Sequence, residues 1–416
     1  ALVLGVGMAV DSNILTFERI KESMYAGRSV KTAFREGSKD SFRTIVDAQL
    51  TTFISALILY IFGTGSVKGF ATMLIVSTIT TLLLIVFIVR FLLGLLVNSG
   101  YLDERYELFG VKKSDVPDVS KGEERRKFTK FKGFDFVGKA KYFICTSLAI
   151  LVISIVCMGV NGFSGNGVMN LGIDFTSGTT LTIQSDAAID QDTLESQLEE
   201  LGLDPSSVKI NGSESNIASV YLKDAVDADT MSTVKASLQE TYGHEVTDNT
   251  VTPVIGQELV RNAVIISVLA WIGILIYMSV RFKWDYALSA IVALIHDVLI
   301  ILAFCAIFRL EINTEIVAVL LTIIGYSVNN SIVVFDRIRD RVRAHRGRIA
   351  KEEYRELVNE AIQATCTRSV FSTLTTMLPV IFLLFMGSGA IFVFNLTLLI
   401  GLIAGAGSSM FIAAQL

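Results

Sequence analysis

Long apolar runs dominate this sequence and limit what it can fold into. A helix that crosses a bilayer needs about 20 mainly apolar residues, and the chain has nine runs of roughly that kind. With 52% hydrophobic residues and only four prolines in 416, it does not resemble a soluble domain of this length. We therefore predict an α-helical polytopic membrane protein with about nine spans, at 1–17, 45–63, 67–97, 141–161, 257–280, 285–308, 312–335, 366–386 and 389–416.

Charge is segregated between these runs and orients them. The segments 18–44, 98–140 and 336–366 are rich in Lys and Arg, which places them in the cytoplasm by the positive-inside rule. The segment 162–256 has three lysines against fifteen acids and is expected outside. Alternation through nine spans satisfies all four assignments. The same rule explains the basic runs without nucleic acid, although contact with a cytoplasmic partner or anionic membrane lipid is an alternative.

The outer segment 162–256 reads as a small folded domain. Alternating strand patterns and two helices with acidic starts follow each other in the order βαββαβ, which predicts an α+β ferredoxin-like sandwich. No nucleophile, base and orienting group cluster in its sequence. We expect a binding or lever domain, and no enzyme.

Cysteine, histidine and the chain ends give weaker signals. The four cysteines lie in or beside apolar runs without a CxxC pair and are expected as buried small hydrophobes. The three histidines are far apart, so neither a metal nor another cofactor is predicted. The chain starts and stops inside apolar runs, with no signal peptide, which we interpret as part of a longer protein.

An internal repeat divides the chain. "GMAVDSNILTFERI" at 7–20 matches "GYSVNNSIVVFDRI" at 325–338 with an offset of 318 residues. Two further matches have an offset of 324: LTT at 50–52 with 374–376, and "FGTG" at 62–65 with "MGSG" at 386–389. Both copies run in the same direction, so they predict two halves related by an axis along the membrane normal. Transporters often place their pathway between such halves.

Several motifs resemble one known family. "GMAVDSNILTFERIKE" and "VDAQLTTFISALILYIFGTGSVKGFA" are similar to the closing spans of SecD. "GIDFTSGT", "TPVIGQELVRNA", "IHDVLI", "YSVNNSIVVFDRIRDR" and "TRSVFSTLTTMLP" are similar to SecF, in SecF order. The resemblance implies the last three SecD-like helices at 1–97, a basic linker at 98–140, a first SecF-like helix at 141–161, the outer domain at 162–256 and a SecF-like bundle at 257–416.

The resemblance also implies a function. Proteins of the SecD/SecF family belong to the resistance–nodulation–division superfamily and assist the Sec translocon of the bacterial cytoplasmic membrane. The implied partners are the translocon channel, insertase-type subunits and unfolded secretory preproteins, with the proton-motive force as energy source. Alternatives are sodium coupling, a scaffold without ion flux, and a drug or lipid pump, for which one small outer domain is too little.

Asp11 is the strongest candidate for a proton carrier. It lies seven residues before the charged end of its run, roughly 10 Å inside the membrane. A carboxylate at that depth is costly, and burial favours its protonated form. The alternative is a neutral acid bonded to a neighbouring helix. Asn13 points to another face and is expected to pack or hydrogen-bond.

Two more charged residues complete the predicted relay. Asp47 opens the second span with Thr51 one turn later, and it is either a second relay carboxylate or an interfacial acid. Arg368 keeps its charge and would pair with Asp11 once Asp11 releases its proton. The alternative is an Arg368 side chain that extends to the membrane interface.

The supporting residues lie in the second half. His296 and Asp297 fall in the middle of a span, on faces about 100° apart, so they need not contact each other; they predict an interhelical network or, alternatively, a proton relay. Asn329, Asn330 and Thr375 are the repeat's polar positions in this half. The resemblance implies Asp at position 330, so Asn330 departs from the family pattern and cannot release a proton.

Overall fold

The described part of the chain is mostly helical. The computed structural model describes residues 2–103, 105–117, 131, 133–165, 167–176, 178–211, 216–222, 224, 226–345, 347, 349–386 and 391–416. Its helices are α1 (Leu2–Tyr25), α2 (Val30–Phe62), α3 (Gly65–Leu83), α4 (Arg90–Asn98), α5 (Phe136–Phe163), α6 (Ile173–Thr176), α7 (Gln191–Glu200), α8 (Ala228–Tyr242), α9 (Pro253–Arg281), α10 (Trp284–Ile307), α11 (Thr314–Ala344), α12 (Lys351–Met386) and α13 (Phe392–Ser408).

Eight helical stretches in the described residues are long and apolar enough to cross a membrane. α3 and α4 form one of them, joined by a π-helical turn at Leu84–Val89, and a second π turn extends α13 through Ser409–Ala413. α1 is not among the eight, because Asp11, Glu18 and Arg19 interrupt its apolar sequence. The spans are Val30–Phe62, Val67–Asn98, Phe136–Phe163, Val254–Arg281, Trp284–Ile307, Thr314–Ala344, Lys351–Met386 and Phe392–Ala413.

The helices extend well beyond the apolar runs. α2 begins at Val30, where Ser29 caps it by accepting from the Thr32 amide, although its apolar run starts only at residue 45. α12 likewise starts at Lys351 rather than near residue 366. Much of the basic segments 18–44 and 336–366, expected as connections, is therefore helix. The basic stretch "KGEERRKFTKFK" falls largely outside the described residues, as do three of the four residues of "MGSG".

The sequence repeat has a counterpart in the packing. Gly7 of α1 lies against Thr376 of α12, and its repeat partner Gly325 of α11 lies against Thr52 of α2. A Cβ at Gly7 would approach the Thr376 side chain to 3.0 Å, and one at Gly325 would approach Thr52 to 3.4 Å. In each copy of the repeat, the first helix thus packs closely on the second helix of the other copy: α1 packs on α12, and α11 packs on α2. α11 is enclosed almost entirely by its neighbours.

A four-stranded sheet with two helices forms a separate unit. Its strands are β1 (Gly178–Gln184), β2 (Pro205–Asn211), β3 (Ile217–Leu222) and β4 (Thr247–Val251), with α7 after β1 and α8 after β3. The strand order is β2-β3-β1-β4, and every neighbouring pair is antiparallel. Alternate residues of β1 and β3 point into an apolar core with α7 and α8.

Short contacts fix the segment before β1 to the helical bundle. Leu171 forms a parallel bridge with Ile312, between α10 and α11. The Asp174 carboxylate accepts from the Thr314 amide (3.0 Å) and hydroxyl (2.7 Å), at the first turn of α11. A carboxylate is favourable there because helix amides are unpaired at an N-terminus. We call this the domain end of the bundle, and the end formed by 18–44 and 336–366 the charged end.

Candidate functional site

Asp11 lies in the interior of the bundle where the two halves meet. It is 2% exposed, and its carboxylate contacts α11 and α12 of the second half. The Asn329 side-chain amide of α11 donates to Oδ2 at 2.7 Å, and Nη2 of Arg368 in α12 lies 3.3 Å from Oδ1. With an offset of 318, Asn329 is the repeat equivalent of Asp11. The repeat positions therefore touch each other at the centre of the molecule.

Arg368 is buried rather than extended to an interface. It is 3% exposed and forms an ion pair with Asp11, which rules out the alternative in which it extends to the interface. Its Nε and Nη1 atoms are buried without a hydrogen-bond partner in the described residues. A guanidinium has five N–H donors and stays charged in proteins. Arg368 therefore has N–H donors near the Asp11 carboxylate that bond to no group of the described residues.

The amides around the pair differ in what they do. Asn329 bonds Asp11, whereas Asn330 is 1% exposed and neither end of its amide has a partner at hydrogen-bonding distance in the described part of the chain. The Oδ1 atom of Asn13 is also buried and unpartnered there. Asn330, the residue expected to matter as a missing carboxylate, therefore makes no hydrogen bond with Asp11 in the described residues; its neighbour Asn329 does.

The predicted threonines bond within their own helices. Thr51 is fully buried, and its hydroxyl donates to the Ala48 carbonyl at 2.8 Å. The hydroxyl of Thr375 donates to the Ser372 carbonyl at 2.9 Å. Bonds of this type satisfy a hydroxyl in an apolar helix. Neither threonine hydroxyl bonds the carboxylate of Asp11 or of Asp47.

Asp47 belongs to a second interhelical ion pair. Nε of Arg281, in the last turn of α9, lies 2.5 Å from its Oδ2, and the Tyr277 hydroxyl donates to Oδ1 at 2.9 Å. Asp47 is 7% exposed, so it is not a solvated interfacial acid. Arg281 and Tyr277 were missed from the sequence, where Arg281 looks like an ordinary cation at a span end. The tyrosine one turn earlier on the same face was the available signal.

His296 and Asp297 do contact each other, despite their different helix faces. His296 Nδ1 lies 3.0 Å from Oδ1 of Asp297, which is 1% exposed. Oδ2 of Asp297 accepts from the hydroxyls of Ser327 in α11 (2.6 Å) and Ser408 in α13 (2.9 Å). The expected interhelical network is present, with two serines that sequence reasoning did not select. It lies on the other side of α11 from the Asp11–Arg368 pair.

Arginines and acids alternate at the charged end. Glu22 of α1 pairs with Arg19 at 3.3 Å and with Arg337 of α11 at 2.5 Å. Asp336 of α11 lies 3.9 Å from both Arg19 and Arg281 and also pairs with Arg339. This network runs from the Asp47–Arg281 pair to the end of α1, so it joins both halves.

The Asp11 carboxylate has both an ion-pair partner and a hydrogen-bond donor in its buried position. A buried carboxylate is stable when ionised only with a partner charge, or when neutral with hydrogen bonds. Here Arg368 is the partner charge and the Asn329 amide is the hydrogen-bond donor, and both come from the opposite half. In the described residues no group of three or more metal-ligating side chains is present.

The fold and the site define a polytopic membrane protein with a two-fold internal repeat and charged groups buried between its halves. Comparison with known proteins gives the family. The model of the SecD/SecF protein export membrane protein C-terminal region matches residues 1–99 and 233–416, and the SecD/SecF GG motif matches 165–189. The chain belongs to the SecD/SecF family of protein-export membrane proteins, and it covers the C-terminal part of SecD followed by SecF.

Individual relatives agree. The protein translocase subunit SecDF of Bacillus subtilis is 43% identical over all of this chain and 56% of its own length, and that of Thermus thermophilus is 33% identical over 98% and 52%. The crystal structure of SecDF from Thermus thermophilus, described as a translocon-associated membrane protein, superposes with a TM-score of 0.79 at 32% identity, over 99% of this chain and 53% of that one. The chain spans about half the length of these relatives.

A second solved structure, SecDF in a super-membrane-facing form, has a TM-score of 0.67 over 100% of this chain and 53% of that one, again at 32% identity. Both superpositions cover nearly the whole chain at the same identity, and their scores differ. The described fold is therefore similar to both solved structures and more similar to the first.

Proposed function

We propose that the protein is an accessory subunit of the Sec translocon in the bacterial cytoplasmic membrane, where it uses the proton-motive force to promote export of unfolded preproteins. The single observation that carries this proposal is the buried Asp11, held between Arg368 and Asn329 of the opposite half. A carboxylate that binds and releases a proton there changes the contacts between halves. Partners are the translocon channel and insertase-type subunits, and no enzymatic step is involved.

The proposed topology has nine spans, with α1 as the first. Residues 162–256 lie outside the cytoplasm, and 18–44, 98–140 and 336–366 lie inside. The outer unit is a ferredoxin-like domain, a proposal supported by its antiparallel β2-β3-β1-β4 order. Its contacts from Leu171 and Asp174 to the start of α11 connect it to the helix that carries Asn329. A shift of α11 would therefore move the domain.

The experiment that tests this function uses the full-length protein in vesicles with the translocon and an arrested secretory chain. An imposed pH gradient should release the chain, and Asp11→Asn should abolish the gradient-dependent part. If a sodium gradient alone releases the chain, the coupling ion is sodium and not the proton. If Asp11→Asn releases the chain as well as the unmodified protein does, proton coupling through Asp11 is refuted. The protein would then act as a scaffold of the translocon.

A further inference from the structure

Glu18 lies two turns from Asp11 on the same face of α1. Seven residues on an α-helix return almost to the same direction, about 10 Å along the axis. Glu18 is half-buried. No hydrogen bond or ion pair joins its carboxylate to another described residue, although it stands among arginines. A carboxylate left unpaired in such a place needs an explanation.

Two acids of the charged end that are closely related to Glu18 are paired. Asp336, the repeat equivalent of Glu18, has ion-pair contacts with Arg19, Arg281 and Arg339. Glu22, one turn further along α1, pairs with Arg19 and Arg337. Glu18 is thus set apart from its repeat partner and from its neighbour on the helix.

Four charged side chains lie around Glu18: Arg368 of α12, Arg337 of α11, and Arg19 and Glu22 of α1. Arg368 approaches from α12, the helix from which it also reaches Asp11. Its Nε and Nη1 are the buried donors without a described partner. An unused pair of donors and an unused carboxylate therefore lie on the same side of α1.

We propose that Glu18 is the second anionic partner of Arg368, which the guanidinium takes when Asp11 binds a proton. The inference rests on the proposed proton coupling through Asp11. In this step the Asp11 carboxylate gains one proton, the guanidinium keeps all of its own, and Glu18 pairs with the guanidinium in its ionised form. A buried guanidinium without an anion is strongly unfavourable. Glu18 supplies the anion that the guanidinium then needs. It is a positioning residue, because it acts through Arg368.

A structure of the Asp11→Asn protein tests the partner exchange directly. Asparagine imitates the protonated, uncharged carboxyl. Arg368 should then place a guanidinium nitrogen within about 4 Å of a Glu18 carboxylate oxygen, the limit of an ion pair. An Arg368 that stays against residue 11, with Glu18 still unpaired, would overturn the proposal. This readout does not depend on transport activity.

Flux measurements test what the exchange does. In vesicles with an imposed pH gradient, Glu18→Gln should slow proton flux about tenfold, because it removes the anion that compensates a buried guanidinium. Glu18→Asp keeps the charge and should recover most of the flux. Glu36→Gln makes the same chemical change at the charged end, in an exposed pair with Arg28 outside the network between the halves, and should alter flux less than about twofold, as for a surface pair.

The outcomes separate the two proposals. Flux lost in Asp11→Asn and unchanged in both Glu18→Gln and Glu18→Asp would refute the role of Glu18 alone. Unchanged flux in Asp11→Asn would refute the proposed function, whatever the structure of that variant showed. If Glu18→Gln does not fold, equal flux in Glu18→Asp and in the unmodified protein, together with an unpaired Glu18 in the Asp11→Asn structure, still refutes the inference.

Discussion

The two halves of the bundle share a backbone plan but not their charges. α1 with α2 and α11 with α12 pack on each other reciprocally, as Gly7 on Thr376 and Gly325 on Thr52. Yet in the ion pairs Asp11–Arg368 and Asp47–Arg281, both acids come from the first half. The arginines that hold them, Arg368 and Arg281, both come from the second part of the chain.

The repeat equivalents show that this division is specific. Asp11 corresponds to Asn329 with the offset of 318, and Asp47 corresponds to Phe371 with the offset of 324. Arg368 corresponds in the same way to Thr44. Each ion pair therefore joins the halves rather than stabilising one of them. A change of charge at Asp11 must act on the interface, where the halves can move.

The largest effect should come from leaving one buried charge alone. Arg368→Leu leaves the Asp11 carboxylate with Asn329 only, and we expect a loss of about 3–5 kcal/mol in stability. Thermal unfolding in detergent measures it. The double variant Asp11→Asn with Arg368→Leu should recover more than half of the loss.

Arg281→Leu is the matched control in the other pair. Its effect should be smaller, because Asp47 keeps its hydrogen bond from the Tyr277 hydroxyl. Equal losses for Arg281→Leu and Arg368→Leu, or a double variant no better than Arg368→Leu, would contradict the idea that Asp11 depends on its arginine.

The asymmetry can be broken by giving the second half an acid. Asn329→Asp places a second carboxylate at hydrogen-bonding distance from Asp11, where two ionised groups cannot coexist. Both then compete for one proton and for Arg368. Gradient-driven proton flux should fall about thirtyfold, on the order of 2 kcal/mol in the barrier.

Asn330→Asp is the comparison variant. Asn330 is the position at which the family resemblance implies an acid, but in the described residues its amide makes no hydrogen bond with Asp11. The added carboxyl should change flux less than about threefold, roughly 0.7 kcal/mol. A larger effect at 330 than at 329 would show that the contact with Asp11 is not what matters.

The packing of the halves gives a smaller test. A methyl at Gly7 would come within 3.0 Å of the Thr376 side chain and 3.2 Å of its Cα, so the backbone itself must move. We expect Gly7→Ala to lower stability by about 1–2 kcal/mol, as overpacking does. Gly325→Ala meets Thr52 at an ordinary contact distance and should be nearly neutral. Thermal unfolding measures the stability of both variants. Equal losses of stability would mean that the two contacts are equivalent.

The sequence predicted the organisation well because apolar runs and repeats are local signals. Membrane-spanning helices, the repeat and the βαββαβ order all follow from period and composition. The Asp11–Arg368 contact was also predicted, since a buried carboxylate needs a partner and Arg368 lies on the equivalent helix pair of the other half.

The details that failed depend on tertiary contacts. Helix lengths were underestimated because hydropathy marks the membrane and not the end of the hydrogen-bonded helix, as at Val30. The choice of Asn329 over Asn330 as the contact depends on which helix face turns to α1. Arg281 was overlooked because a basic residue at a span end is ordinary until a carboxylate is placed beside it.

Two helices of the α/β unit with similar N-caps give the smallest test. In the α/β unit, α7 and α8 both begin with an aspartate that accepts from a threonine three residues later, Asp190 from Thr193 and Asp227 from Thr230. These hydrogen bonds to the ionised form lower the pKa of each carboxyl below its usual range. Both caps are therefore at full strength above about pH 4 and weaken as the pH falls through the lowered folded-state pKa.

Asp190→Ala and Asp227→Ala should each reduce amide protection in the first turn of their own helix only, by similar small factors. Hydrogen exchange on the intact protein, corrected for intrinsic rates, measures both. Acidification should weaken the two helix starts together, and the variants should lose that pH response. A strong response in one helix alone would show that these two caps, like the two halves of the membrane bundle, are not equivalent.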